Sequence, residues 1–167
     1  MTIDSVWGNL FKRRDLHVRE YLLNVPIFHD LSSRELGRLE RYVVTRKFMQ
    51  NEYIFRQSEP GAGMYIITSG TVNIRLEHSD GCTQNLVSLG ERDFFGEMAL
   101  LDESPRSAAA IVETEKVTVL SFFRGDLLKV KGDYPDLACK ILWNIGIVLS
   151  ERLRVNNELL RTKSQSS

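Results

Sequence analysis

Hydrophobic and polar positions change their period twice along the chain, which divides it into three zones. Up to about residue 42 the spacing is helical. Trp7, Leu10, Phe11 and Arg14 open an amphipathic stretch that residues 16–23 continue, and Pro26 interrupts it. Leu31-Ser32-Ser33-Arg34-Glu35 predicts a capping box, in which Ser32 accepts from the Glu35 amide while the Glu35 side chain bonds back. Leu36, Leu39 and Val43 then fall on one face of a short helix.

From about residue 43 to 123 the period becomes that of strands. Runs rich in β-branched and aromatic residues at 53–56, 64–69, 72–78, 83–89, 107–113 and 117–123 are separated by Pro60-Gly61, Ser69-Gly70, Asp80-Gly81 and Gly90-Glu91. Asp80-Gly81 between two alternating runs predicts a hairpin. In Thr71-Val72-Asn73-Ile74-Arg75-Leu76 apolar and polar residues alternate, so one face packs and the other meets water. Many short strands with glycine turns point to a sandwich, jelly roll or small barrel.

The third zone is helical again. Gly125-Asp126 begins a short helix, and Pro135 sits where a new helix has its first turn. From there to Leu160 there is no proline, and the only glycine is Gly146. Leu142, Ile145, Leu149, Leu153, Asn156 and Leu160 step by three or four, an apolar stripe with one polar interruption. A helix of about 25 residues measures roughly 38 Å. That exceeds what one small sheet needs for cover, and leaves room for pairing with a second copy. Residues 162–167 read as a frayed polar tail.

Composition narrows the classes. The 167 residues are 43% hydrophobic and 26% charged, which fits one globular domain. Lys plus Arg is 22 and Asp plus Glu is 22, so the net charge is zero and the basic footprint of a nucleic-acid partner is missing. The longest uninterrupted apolar run is 108–112, far short of the roughly 20 residues that cross a bilayer, so no membrane span is expected. The first residues lack the apolar core of a secretory signal, which makes the expected location cytoplasmic. Cys82 and Cys139 set up neither a disulfide framework nor a zinc site. His17, His29 and His78 are scattered, so no metal site is expected and a metalloenzyme on a similar barrel lacks its ligands. The Lys12-Arg13-Arg14 cluster beside Trp7 and Phe11 fits a docked helix better than a lipid contact.

One segment breaks the strand rhythm: Phe94-Phe95-Gly96-Glu97-Met98-Ala99-Leu100-Leu101, then Asp102-Glu103-Ser104-Pro105-Arg106-Ser107-Ala108. It reads as a single helical turn followed by a tight loop. Gly96 permits a sharp entry. The amides of Met98, Ala99 and Leu100 then fall in a first turn without intrahelical partners, where they favour an anion. Arg106 offers a bidentate fork for a phosphate. An ionised Glu97 is acceptor-only, so it repels phosphate and suits a hydroxyl. Together these groups match a sugar phosphate. The plain alternative is an ordinary Glu97–Arg106 pair.

FFGEMALLDESPRSAAAIV resembles the phosphate-binding cassette of the cyclic-nucleotide-binding domain family, of the catabolite activator protein and cyclic-AMP-dependent kinase regulatory subunit type. The resemblance continues upstream through RYVVTRKFMQNEYIFRQSEPGAGMYIITSGTVNI and NVPIFHDLSSREL, and covers about 24–161. It implies a mainly β fold: an eight-stranded jelly roll with N-terminal helices and a long C-terminal helix. The implied division is a helical extension over 1–23 and the domain over 24–167, with the roll at about 43–123 and the C-terminal helices at about 125–162. Carried over by position, Gly96 and Glu97 meet the ribose 2′-hydroxyl. Ala99 gives its amide to the cyclic phosphate and Arg106 its guanidinium. Ser107 adds a contact there, with Met98 and Ala108 beside them. Two departures are Ser58, where the family often has glycine, and Ala62, where it often has an acidic residue; both put loop shape in doubt more than binding.

Glu151-Arg152-Leu153-Arg154-Val155-Asn156-Asn157-Glu158 is similar to the family helix from which two neighbouring hydroxyl residues reach the adenine in a dimer. Asn156 and Asn157 stand in those places, and an amide can read a purine edge. Asn156 could equally be a polar seam residue fixing register in a helix pair, and Asn157 could simply face solvent. Trp143 fits helix packing better than a lid over the base. The resemblance therefore implies a non-catalytic receptor for cyclic AMP or cyclic GMP, cyclic AMP favoured, with no cofactor. Only 16 residues follow Glu151, too few for a helix-turn-helix, so the expected output is in trans, to an effector protein or through a homodimer of the C-terminal helix. The alternative is an interaction scaffold that keeps the roll and ignores cyclic nucleotides.

Overall fold

The computed structural model of the protein describes residues 18–165. The readings made on Trp7, Leu10, Phe11, Arg14, Lys12-Arg13-Arg14 and His17 lie outside the described residues. Among the described residues eight strands form two antiparallel four-stranded sheets: β1 (Val43–Met49), β2 (Tyr53–Phe55), β3 (Gly63–Ser69), β4 (Val72–Glu77), β5 (Thr83–Leu89), β6 (Phe94–Phe95), β7 (Ala109–Val112) and β8 (Lys116–Phe123). Their orders are β1-β8-β3-β6 and β2-β7-β4-β5. This is the jelly roll with flanking helices that the sequence resemblance implies.

β3 and β8 are buried on both faces, which is why they read as nearly continuous apolar runs. Met64, Ile66, Leu120 and Phe122 face the helices, where Phe122 meets Phe28 edge-on with ring centres 6.2 Å apart. Tyr65, Ile67, Val117 and Val119 face the second sheet and pack with Val72, Ala110 and Val112. The Asp80-Gly81 hairpin forms as predicted, with Gly81 at φ 85° and Asp80 Oδ1 accepting from the Cys82 amide at 2.9 Å.

Helical residues 18–23 bury Tyr21 and Leu22 in the same core as Val25, Ile27 and Phe28. Helix α1 (Ser33–Leu39) carries the capping box in full: Glu35 N–H donates to Ser32 Oγ, and Ser32 N–H to Glu35 Oε2 at 2.8 Å. Leu36 and Leu39 are buried as expected, but Val43 belongs to β1, because a 3-10 turn at Glu40–Tyr42 ends the helical run before it. Helices α2 (Arg124–Asp133) and α3 (Pro135–Gln165) follow β8. α3 has 31 residues, so the tail predicted to fray from 162 is helical through 165. Nothing after Gly146 breaks it, and Thr162 Oγ1 bonds back to Glu158 O at 3.0 Å.

The buried face of α3 is Leu137, Ile141, Ile145 and Val148. Of the predicted stripe only Ile145 is fully buried; Leu142, Leu153 and Leu160 stay exposed. Trp143, expected to pack, is 72% exposed. The helix leans on the core along its first half and outruns it along the second. Asn144, buried, ties it to the segment before α1, donating to Ile27 O at 3.1 Å and Asp30 Oδ1 at 2.7 Å. Lys140 Nζ adds an ion pair to Glu35 at 2.8 Å.

Lys140 and the capping hydrogen bonds hold the Glu35 carboxyl at about 2, below its ordinary 4.5. A carboxyl depressed on folding contributes stability above the unfolded value and loses it as pH falls through the folded one. Melting of the wild type should therefore drop between pH 4.5 and about 2. Glu35→Gln should melt lower at neutral pH and show a flatter slope across that window.

Candidate functional site

Between β6 and β7 the chain leaves the sheet. Gly96 takes φ 78°, and a Cβ there would stand 2.8 Å from Arg106 Nη1. The backbone favours glycine and the space beside Arg106 leaves no room for a Cβ. Glu97–Leu100 then make one 3-10 turn, the single helical turn the sequence predicts. Its amides are less free than expected. A 3-10 turn bonds residues three apart, and the Ala99 N–H donates to Gly96 O at 3.2 Å. The donor set for an anion shrinks accordingly, and Arg106 becomes its main member.

Arg106 is 8% exposed. Its Nη2 donates to Gly63 O at 2.7 Å and its Nη1 to Gly96 O at 3.2 Å. Its guanidinium carbon lies 4.0 Å from the centre of the Phe55 ring. Nε is buried without a partner. Among the described residues no carboxylate comes within ion-pair distance of it. Burial pushes its pKa down, against the pull of Tyr65, Glu97 and Glu59. A desolvated cation with a spare donor calls for an anion.

Its backbone is clamped too. Ser58 N–H donates to Arg106 O and Arg106 N–H to Glu59 O, both at 2.8 Å. The turn carrying Ser58 is distant in sequence from the cassette but touches its arginine directly. Ser58 sits at φ 67°, the left-handed region where glycine is at ease.

Glu97 is 3% exposed. It does not pair with Arg106. Its Oε1 accepts from Arg152 Nη1 at 2.7 Å, while Oε2 is buried without a partner. Arg152, on α3, also donates to Phe94 O at 3.2 Å and lies 4.8 Å over the Phe94 ring. The sequence reading did not single out Arg152. Its position four residues before Asn156, on the same helix face, was the available signal.

These groups surround one cavity of about 670 Å³, within the range of small-molecule sites. Gly96, Glu97, Met98, Ala99, Arg106, Ser107, Ala108 and Asn156 line it, and so does Arg152. Asn157 is not among the lining residues: one step round the helix, about 100°, turns it away. Its lining therefore includes a buried cation and a buried carboxylate, each with an unmet hydrogen-bonding atom. No group of His, Cys, Asp and Glu among the described residues could hold a metal ion. No helix among them is long and apolar enough to cross a membrane.

The model of the cyclic nucleotide-binding domain matches residues 45–134, more than half of the chain. The chain belongs to that family, whose members bind cyclic AMP or cyclic GMP. Over 129 residues it is 36% identical to the cyclic AMP receptor protein of Thermus thermophilus, covering 77% of this chain and 57% of that protein. Over 105 residues it is 33% identical to the regulatory subunit of the cAMP-dependent protein kinase of Emericella nidulans, covering 63% of this chain and 24% of that one. The crystal structure of Thermus thermophilus catabolite activator protein superposes with a TM-score of 0.72 at 33% identity, covering 83% of this chain and 63% of that chain. The chain thus spans less than two thirds of the length of these relatives.

Left-handed backbone costs an L-residue roughly 1–2 kcal/mol, and the extra chain entropy of glycine offsets about half of that. Ser58→Gly should therefore stabilise the fold by about 0.5–1 kcal/mol, read as a higher thermal midpoint.

Proposed function

We propose that this chain is a non-catalytic cyclic-nucleotide receptor of the cytoplasm, cyclic AMP before cyclic GMP, that signals to another chain through α3. The observation behind the reading is the pair of buried, incompletely bonded charges in one cavity. Arg106 Nε has a proton to give and Glu97 Oε2 a lone pair. A cyclic phosphate answers the first and a ribose 2′-hydroxyl the second. Ser107 and Ala99 flank the phosphate. The amide of Asn156 reaches the base from α3. The preference for cyclic AMP leans on the relatives, which are named for cyclic AMP.

Coupling follows from Arg152. Glu97 is the carboxylate that anchors α3 through Arg152, and it is also the ribose acceptor. A ligand shifts an equilibrium only by contacting its two states differently. A hydroxyl arriving at Glu97 changes the terms on which Arg152, and the helix behind it, is held.

The partner in this reading is a second copy of the chain. Trp143, Ile147, Leu153 and Leu160 are exposed on α3, and Trp143, Gly146, Ile147 and Ser150 share one shallow groove along it. Asn157 falls four residues after Leu153 and three before Leu160, at the centre of that face. A lone asparagine on an apolar helix seam specifies a parallel pair in fixed register. The seam role considered for Asn156 thus passes to Asn157, while Asn156 keeps to the cavity.

Calorimetric titration with cyclic AMP and cyclic GMP tests the receptor. Arg106→Ala should weaken binding by roughly 2–5 kcal/mol, since a buried phosphate loses its counter-charge; unchanged affinity in a folded variant refutes the role. Cyclic AMP at 100 times its dissociation constant should stabilise the fold by about 2.7 kcal/mol, against no gain for a scaffold that ignores nucleotides. In sedimentation velocity, Leu153→Glu with Leu160→Glu should leave a monomer where the wild type forms a dimer.

A further inference from the structure

β2 does not meet β7 evenly. Tyr53 stands opposite Ile111 and Phe55 opposite Ala110, so two steps along β2 answer one along β7. Ile54 is the additional residue of a β-bulge. In an even strand successive side chains point to opposite faces, which would put Phe55 on the same face as Tyr53. Instead the two part. Tyr53 turns to Glu77, its hydroxyl donating to Oε1 at 2.8 Å. Ile54 is buried between the sheets, and Phe55 packs against the same cluster and lines the cavity. The bulge has brought an aromatic ring to the site.

That ring has little freedom. Its centre lies 5.8 Å from those of Tyr65 and Phe95, which stack on each other at 5.5 Å and 22°. A Cβ on Gly96 would stand 3.5 Å from Phe55 Cε1. Over the ring, 4.0 Å from its centre, is the guanidinium carbon of Arg106. The carbonyls of Gly63 and Gly96 take protons from Nη2 and Nη1 and so fix one edge of the guanidinium. The ring covers its face. A π face attracts a cation through its quadrupole and takes no proton in doing so. Nε, buried without a partner, therefore keeps its proton to give. A carboxylate in the place of the ring would claim that proton, and an incoming anion would have to displace it.

We infer that Phe55 is the positioning residue for Arg106, a role that rests on the reading of the cavity as a cyclic-nucleotide site. Its ring holds the guanidinium in one plane and balances part of its charge, and it leaves free the donor that a phosphate needs. A donor set in place beforehand spares the ligand the cost of ordering it. Phe55 thus acts on binding through the arginine.

The test is calorimetric titration of cyclic AMP against the wild type, Phe55→Leu and Phe55→Tyr, each variant first shown to melt cooperatively. Phe55→Met replaces the leucine variant if that one does not. Alongside, nuclear magnetic resonance follows the exchange with water of the Arg106 Nε proton, identified as the signal missing from Arg106→Lys. Phe55→Leu should weaken binding about tenfold and speed that exchange. Phe55→Tyr, which keeps the π face, should hold both near the wild type. Weaker binding with exchange unchanged would reduce Phe55 to a wall of the cavity and overturn the inference. So would a tyrosine variant as weak as the leucine one. Wild-type affinity in Phe55→Leu would overturn the inference alone, with the receptor reading left intact. If the wild type binds no cyclic AMP, the receptor reading falls and takes this inference with it.

Discussion

A guanidinium withdrawn from water has to be surrounded by acceptors, and Arg106 draws its acceptors from segments far apart in sequence. Gly63 O at the start of β3 and Gly96 O before the cassette turn each take one of its protons. Phe55 of β2 lies under its face. The turn around Ser58 and Glu59 clamps its main chain. Leaving a buried charge uncompensated is among the most costly things a fold can do. The conformations of Ser58 and Gly96, and the close approach of β2 and β3 to the cassette, all fit that single requirement. The Nε left over gives the cavity its chemistry.

Glu97 links this half of the site to the long C-terminal helix. Its carboxylate sits on the cassette, yet among the described residues its ion pair is with Arg152 on α3. α3 is bolted near its start by Asn144 and Lys140. Past Leu149 its large apolar side chains, Leu153, Val155, Leu159 and Leu160, are exposed. Arg152 is thus a contact between the roll and the outer half of a helix that otherwise projects beyond the core. In the proposed receptor, that single contact is the route by which a ligand at Glu97 would act on the outer half, with no long chain of intermediates.

Much of this was legible in the chain. The capping box at Ser32 and Glu35, the Asp80-Gly81 hairpin, the glycine-led cassette and the long helix after Pro135 each follow from a local rule, and local rules are written in adjacent residues. What stayed hidden depends on contacts between distant segments. β6 has two residues, too few for any period to register. The partner of Glu97 lies 55 positions away. Asn156 and Asn157 look interchangeable as letters, and only the orientation of α3 separates a cavity residue from a surface one. Trp143 reads as a packing residue because large aromatics usually are, and no sequence rule says that the core ends before reaching it.

In β5, Leu86 has no partner on β4, since Ile74 stands opposite Val87 and Arg75 opposite Asn85; this bulge and the glycine after β6 solve the same problem from two sides. A regular roll would run its strands on and fill its interior with alternating side chains, as a closed small sandwich does. Gly96 stops β6 after Phe95 by turning the chain through a left-handed conformation that favours glycine. Glu97 then enters the space where a continued strand would have placed a packing side chain. Leu86, out of register, lines the same space from the second sheet. The cavity is thus built into the backbone at two points where the ladder is broken. Shrinking a side chain elsewhere would not reproduce it, and restoring either strand to regularity would remove a wall of it.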